Sequence, residues 1–130
     1  MTSREFAAEF ASILGMLADH RFLQYTPTGR AEYRQKESAA IGYFVALVGR
    51  ATGLALTAPN PDFMPISSVV EPSKTAALSL MRRTIRRLVA AADATNGRQR
   101  SALQQEIWNW TTAVNRLRVL GSSRASAEED

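Results

Sequence analysis

Three stretches of this chain repeat apolar residues at alternating steps of three and four, and that spacing restricts its fold more than any other feature. Phe6, Phe10, Ile13 and Leu17 form the first seam. Leu78, Met81, Ile85, Leu88 and Ala92 form the second, and Leu103, Ile107, Trp110, Val114 and Leu117 the third. Side chains spaced this way share one face of an α-helix, and that face needs another element to cover it. No alternation of period two competes with it, and no internal repeat is present.

The punctuation between the seams sets the boundaries. A first helix is expected from about Ser3 to Tyr25, opened by a capping box of Thr2 and Glu5. Thr26-Pro27-Thr28-Gly29 reads as a break. A second helix is expected from about Arg30 to Leu56, with Tyr33, Ile41, Val45, Val48 and Ala55 along its apolar stripe. Gly42, Ala46, Gly49 and Gly53 make another stripe, and its small residues suggest close approach of a neighbouring helix or else a bend near Gly49–Gly53. A third helix is expected over Lys74 to Thr95 with Ser73 as N-cap. Asn96-Gly97 stops it, and a fourth helix follows from about Gln99 to Leu120.

Four of the five prolines fall between Thr57 and Pro72, which excludes a regular helix there. The same segment carries Phe63, Met64, Ile66, Val69 and Val70, an apolar content unusual in a connection. Two readings stand: a strap closing one end of the core, or a docking segment in which Phe63, Met64 and Ile66 meet a protein partner. The expectation is therefore an all-α fold. A single antiparallel bundle of four main helices occupies residues 1–121, with a long Pro-rich loop between the second and third. A flexible acidic tail covers 122–130.

Charge is distributed unevenly. The 130 residues hold 16 basic and 12 acidic side chains, for a net charge of +4. Residues 1–71 are close to balanced, whereas between Pro72 and Ala127 the only acids are Asp93 and Glu106. Glu128, Glu129 and Asp130 close the chain. Nearly all the cations are Arg, the side chain that grips phosphate in a bidentate fork and stacks on bases. Arg82, Arg83, Arg86 and Arg87 fall within two turns of the third helix, and no acid lies between Glu71 and Asp93 to offset them. Like charges four residues apart disfavour a helix, so an anion completing the cluster is the natural inference. Arg98 and Arg100 extend it across the hairpin turn, and Lys74, Arg116 and Arg118 complete the candidate phosphate contacts. The competing reading is a solvated Arg face paired with Glu32, Glu37 or Glu106. Trp108 stands one residue off its seam, either as a rim residue or as a surface on which a base stacks.

Chemistry beyond binding finds no support. There is no cysteine and a single histidine, His20, which reads as a surface residue. No nucleophile elbow, phosphate loop or metal-ligand spacing is present. No catalytic residues, cofactor or metal are expected. Arg50 and three glycines interrupt the most apolar run, Ile41 to Ala58, so no membrane span is expected. Glu5 and Glu9 argue against a signal peptide, and the lack of cysteine is compatible with a reducing, cytoplasmic setting, which is the expectation.

The Arg82-Arg83-x-x-Arg86-Arg87 helix, the helical plan and the chain size resemble the small all-helical subunits of multi-subunit CRISPR effector complexes. That resemblance implies a non-catalytic ribonucleoprotein subunit in antiviral defence. Its copies would stack along a filament of other subunits and touch backbone phosphates of a guide or target strand. It covers the general plan of the chain and carries over no individual residue. The same plan serves a phage or nucleoid-associated protein. The functional expectation is sequence-independent binding of RNA or single-stranded DNA within a larger assembly, with self-association also open. The alternatives are an adaptor whose basic face binds an acidic protein, and a bundle with a small-ligand cavity beside the glycine stripe.

Overall fold

The computed structural model describes residues 1–121, and all regular structure among them is helical. The expected acidic tail, 122–130, lies outside the described residues. Helix α1 spans Ser3–Ala18, α2 Pro27–Thr52, α3 Lys74–Asp93 and α4 Gly97–Arg118. Short 3-10 helices occupy Arg21–Tyr25 and Ile66–Ser68.

Helix α1 opens as its sequence predicts, with the Thr2 hydroxyl accepting from the Glu5 backbone N–H at 3.0 Å. It stops at Ala18 instead of running to Tyr25. Continuing the seam past Leu17 would place His20, Arg21 and Gln24 on the buried face, so the apolar stripe has nothing left to bury. The chain tightens into the 3-10 turn, which tucks Leu23 against the core and leaves Phe22 and Tyr25 exposed.

Helix α2 begins at Pro27, three residues before the expected start. The Thr26-Pro27-Thr28-Gly29 segment is a cap: the Thr26 hydroxyl accepts from the Gly29 N–H at 3.0 Å, and proline sits in the first turn. The helix ends at Thr52, not Leu56. Gly53 takes a left-handed φ of 73°, and the N–H groups of Gly53 and Leu54 both donate to the Gly49 carbonyl. Ala55 thus lies beyond the helix.

The small-residue stripe does not serve the purpose its spacing suggested. Gly42 and Ala46 are exposed, and a Cβ on Gly42 would meet nothing within 4 Å. A Cβ on Gly49 would stand 2.9 Å from the Leu54 carbonyl of its own chain, folded back by the left-handed turn. No neighbouring helix covers the stripe. Gly42→Ala is therefore expected to raise stability by about 0.5–1 kcal/mol, the helix-interior cost of glycine. Gly29→Ala is expected to lower it, because its Cβ would collide with the capping Thr26 hydroxyl and the Leu23 carbonyl. Thermal unfolding of the two variants checks the opposite signs.

The core gathers residues from all four main helices. Phe6 and Phe10 meet at a tilt along α1, and Phe10 meets Phe44 of α2 at 5.0 Å between ring centroids. Helix α3 packs most extensively on α4, and α2 touches both α1 and α4. Trp110 of α4 is fully buried with Ala113 and Leu117. Leu103 and Ile107, at the start of the same seam, are only half-buried. Helix α3 buries a wider face than its seam, adding Ala77, Leu80 and Thr84 to Leu78, Met81, Leu88 and Ala92. The buried Thr84 hydroxyl donates to the Leu80 carbonyl, which satisfies it without a partner outside the helix.

The connection from α2 to α3 corrects the docking expectation. Met64 and Ile66 are completely buried, Val69 nearly so, and all three belong to the same core as the helices. Phe63 is half-buried against that core. Met64 and Ile66 present no side-chain surface to a partner. The segment straps the core, the other of the two sequence readings.

Candidate nucleic-acid interface

Each residue of an α-helix turns about 100° from the last. Arg82 and Arg86 therefore share one flank of α3, and Arg83 and Arg87 another about 100° away. Which element lies beside each flank decides what the four guanidinium groups can do.

Arg83 and Arg87 face the α2–α3 connection and are engaged there. Arg83 Nη1 donates to the Ser68 hydroxyl at 2.8 Å, and Arg87 Nη1 donates to the Asp62 carbonyl at 2.8 Å. From the other side, Arg34 of α2 pairs with the Asp62 carboxylate. The physical need is clear. A proline-rich segment with little regular structure leaves carbonyl groups without backbone donors, and long side chains from adjacent helices supply some of them. The cluster Arg82-Arg83-x-x-Arg86-Arg87 is thus divided. One pair fastens the strap and the other faces solvent.

Two further expected phosphate contacts are also engaged within the fold. Lys74, at the start of α3, donates through Nζ to the carbonyls of Leu120 at 2.7 Å and Arg118 at 3.4 Å. The Ser3 hydroxyl donates to the same Leu120 carbonyl. Arg116 Nη1 donates to the Thr52 carbonyl at 3.1 Å. The Thr52 and Arg118 carbonyls end α2 and α4 and have no partner inside their own helices, and Leu120 lies two residues beyond the end of α4.

Five expected residues remain: Arg82, Arg86, Arg98, Arg100 and Arg118. All are exposed, and none of their side chains makes a hydrogen bond or ion pair among the described residues. The ion pairs that do form, Arg34–Asp62 and Arg50–Glu9, involve the other half of the chain. The pairing of the Arg face with Glu32, Glu37 or Glu106 does not occur among the described residues. Glu106 is half-buried on α4, and desolvation raises its carboxyl above the usual pKa range. It forms no ion pair with these arginines among the described residues.

Trp108 does not flank the core as its position next to Ile107 suggested. It is 69% exposed, whereas Trp110 is 1% exposed. Two helical positions separate them by about 200°, so Trp108 faces away from the core.

Elsewhere, a shallow groove open to solvent runs between α1 and α2. It is lined by Met16, Tyr43, Ala46 and the Arg50–Glu9 pair. It lies beside the exposed glycine stripe, and the neighbouring depression around His20, Lys36 and Tyr43 is likewise open to solvent. Among the described residues no three His, Asp or Glu side chains gather as a metal site, and no helix is long and apolar enough to cross a membrane. The chain matches no protein-family model, no curated protein and no solved structure.

The division of the arginines makes a stability prediction. Arg83→Ala and Arg87→Ala should each cost about 0.5–1.5 kcal/mol, the net worth of the hydrogen bonds they lose. Arg82→Ala and Arg86→Ala should stay within about 0.5 kcal/mol of the parent, as uninvolved surface positions do. Urea denaturation of the four single variants measures both sets.

Proposed function

We infer that the chain is a non-catalytic, sequence-independent nucleic-acid-binding subunit of a larger assembly, its helices forming one antiparallel bundle. Arg82, Arg86, Arg98, Arg100 and Arg118 contact backbone phosphates. The observation that carries this reading is that these five guanidinium groups have no anionic partner among the described residues. Arg82 and Arg86 place like charges four residues apart on one flank of α3, which disfavours the helix unless an external anion offsets them, and a phosphate backbone supplies anions at regular intervals. Contacts of this kind give affinity without reading bases. The layout accords with the small helical subunits of multi-subunit CRISPR effectors, which would place the protein in a cytoplasmic ribonucleoprotein with protein neighbours.

Fluorescence anisotropy with labelled single-stranded RNA, single-stranded DNA and duplex DNA tests the reading. The parent should bind at low salt. A folded R82E/R86E/R98E/R100E variant should bind far more weakly, while Lys36→Glu, in the other half of the chain, should bind like the parent. Equal binding by the parent and the fourfold variant would overturn the assignment.

A further inference from the structure

The outward face of α4 carries a stripe that is separate from the arginine cluster of α3. Arg100, Gln104, Trp108, Thr111, Asn115 and Arg118 follow one another at steps of four, four, three, four and three. That spacing keeps them within about 80° of one another around the helix. All six are exposed. The side chains of Gln104, Thr111 and Asn115 form no hydrogen bond among the described residues, and neither arginine is paired there. No acid lies on the stripe. The one acid of α4, Glu106, sits on the half-buried side.

The order along the stripe is a cation, an uncharged polar group, an exposed indole, two uncharged polar groups and a second cation. At 1.5 Å per residue, Arg100 lies about 12 Å and Arg118 about 15 Å from Trp108 along the axis. An indole this exposed in the middle of a helix leaves a large apolar surface in water. Its flat face suits an unpaired base, and the flanking guanidinium groups suit the phosphates on either side. A duplex keeps its bases stacked inside and offers no such face. An acidic protein segment could satisfy the two cations but has no general need of the indole between them.

We propose that this stripe is a single-strand binding track, in which Trp108 stacks an unpaired base and Arg100 and Arg118 hold the backbone on each side. The proposal rests on the nucleic-acid reading above and makes it specific for unpaired strands. Gln104, Thr111 and Asn115 offer hydrogen bonds to sugar or base edges along the path.

The two tryptophans make the test direct. Trp110 is buried beyond the reach of any base, so quenching on titration reports Trp108. The full chain is titrated with a single-stranded oligodeoxynucleotide, with an oligoribonucleotide of the same sequence, and with the corresponding duplex. Anisotropy of a label on the strand is followed together with tryptophan emission. The expected result is quenching that tracks single-strand binding and is absent with the duplex. Trp108→Ala should keep the parent melting temperature, since it removes an exposed side chain, and should bind single strands about 5- to 100-fold more weakly. Its affinity for duplex should be unchanged. Binding seen by anisotropy without quenching, or with equal affinity in Trp108→Ala, would overturn the stacking track while leaving the phosphate contacts standing. No binding of any strand by the folded parent at low salt would overturn both.

Discussion

Met64→Ala is expected to destabilise the protein by about 2–5 kcal/mol, although Met64 lies in a segment with little regular structure. The side chain is completely buried and sits in the same core as Phe6, Phe44 and Trp110. Its removal forfeits the transfer of a large apolar group and leaves a space that the surrounding helices fill only in part. For a chain of this length the loss corresponds to a fall of roughly 6–20 °C in Tm. Val70→Ser, a few residues away, should have almost no effect, because Val70 is 79% exposed. Calorimetric or circular dichroism melts of the two variants measure the contrast. A change of under about 0.5 kcal/mol for Met64→Ala, as at ordinary surface positions, would show that the strap is not part of the core.

The second large effect is on binding. Five phosphate contacts on a single strand correspond to a slope of about −3.5 in log affinity against log salt concentration. That slope amounts to about 100-fold weaker binding between 50 and 200 mM salt. R82E/R86E/R98E/R100E removes four of the five contacts and adds four like charges facing the strand. At moderate salt its affinity should fall by about 100-fold or more. The substituted side chains are exposed and unpaired among the described residues, so the fold should persist, and circular dichroism of the variant confirms this before binding is read. The same substitutions at Arg83 and Arg87 would confound the two effects, because those residues hold the Ser68 hydroxyl and the Asp62 carbonyl. That is why the variant omits them.

Much of the fold is legible in the spacing of apolar residues. The seam of α3 names Leu78, Met81, Leu88 and Ala92, all buried, and Ile85, half-buried, and the Ser73 cap is present, its hydroxyl accepting from the Ala76 N–H at 3.0 Å. The misplaced boundaries have physical causes. Nothing in a propensity argument ended α1 at Ala18, yet the seam itself runs out at His20, Arg21 and Gln24. The glycines of α2 looked like a helix-packing stripe because spacing alone does not separate a contact face from a left-handed terminator. Gly53 following the last helical turn was the available signal.

The strap and the arginine cluster were less legible, for related reasons. A segment without a repeating backbone has no period, so its sequence cannot tell which of Phe63, Met64 and Ile66 turns inward. Without the path of that segment, the flank of α3 it would occupy was also hidden. Four arginines that read as one phosphate surface are two pairs about 100° apart, one fastened to the connection and the other facing solvent. The outward stripe of α4 was missed as well. Arg100, Trp108 and Arg118 stand out by residue type, whereas Gln104, Thr111 and Asn115 show their common face with Trp108 only when the helix is laid out by its period.

The salt dependence of single-strand binding tests the central claim most directly. Anisotropy titrations of the parent and of R82E/R86E/R98E/R100E over a series of salt concentrations give the two slopes. Unpaired arginines acting as phosphate contacts predict about −3.5 for the parent and about −0.7 for the variant, in which Arg118 alone remains. A parent slope near zero, or the same slope in both proteins, would contradict the account.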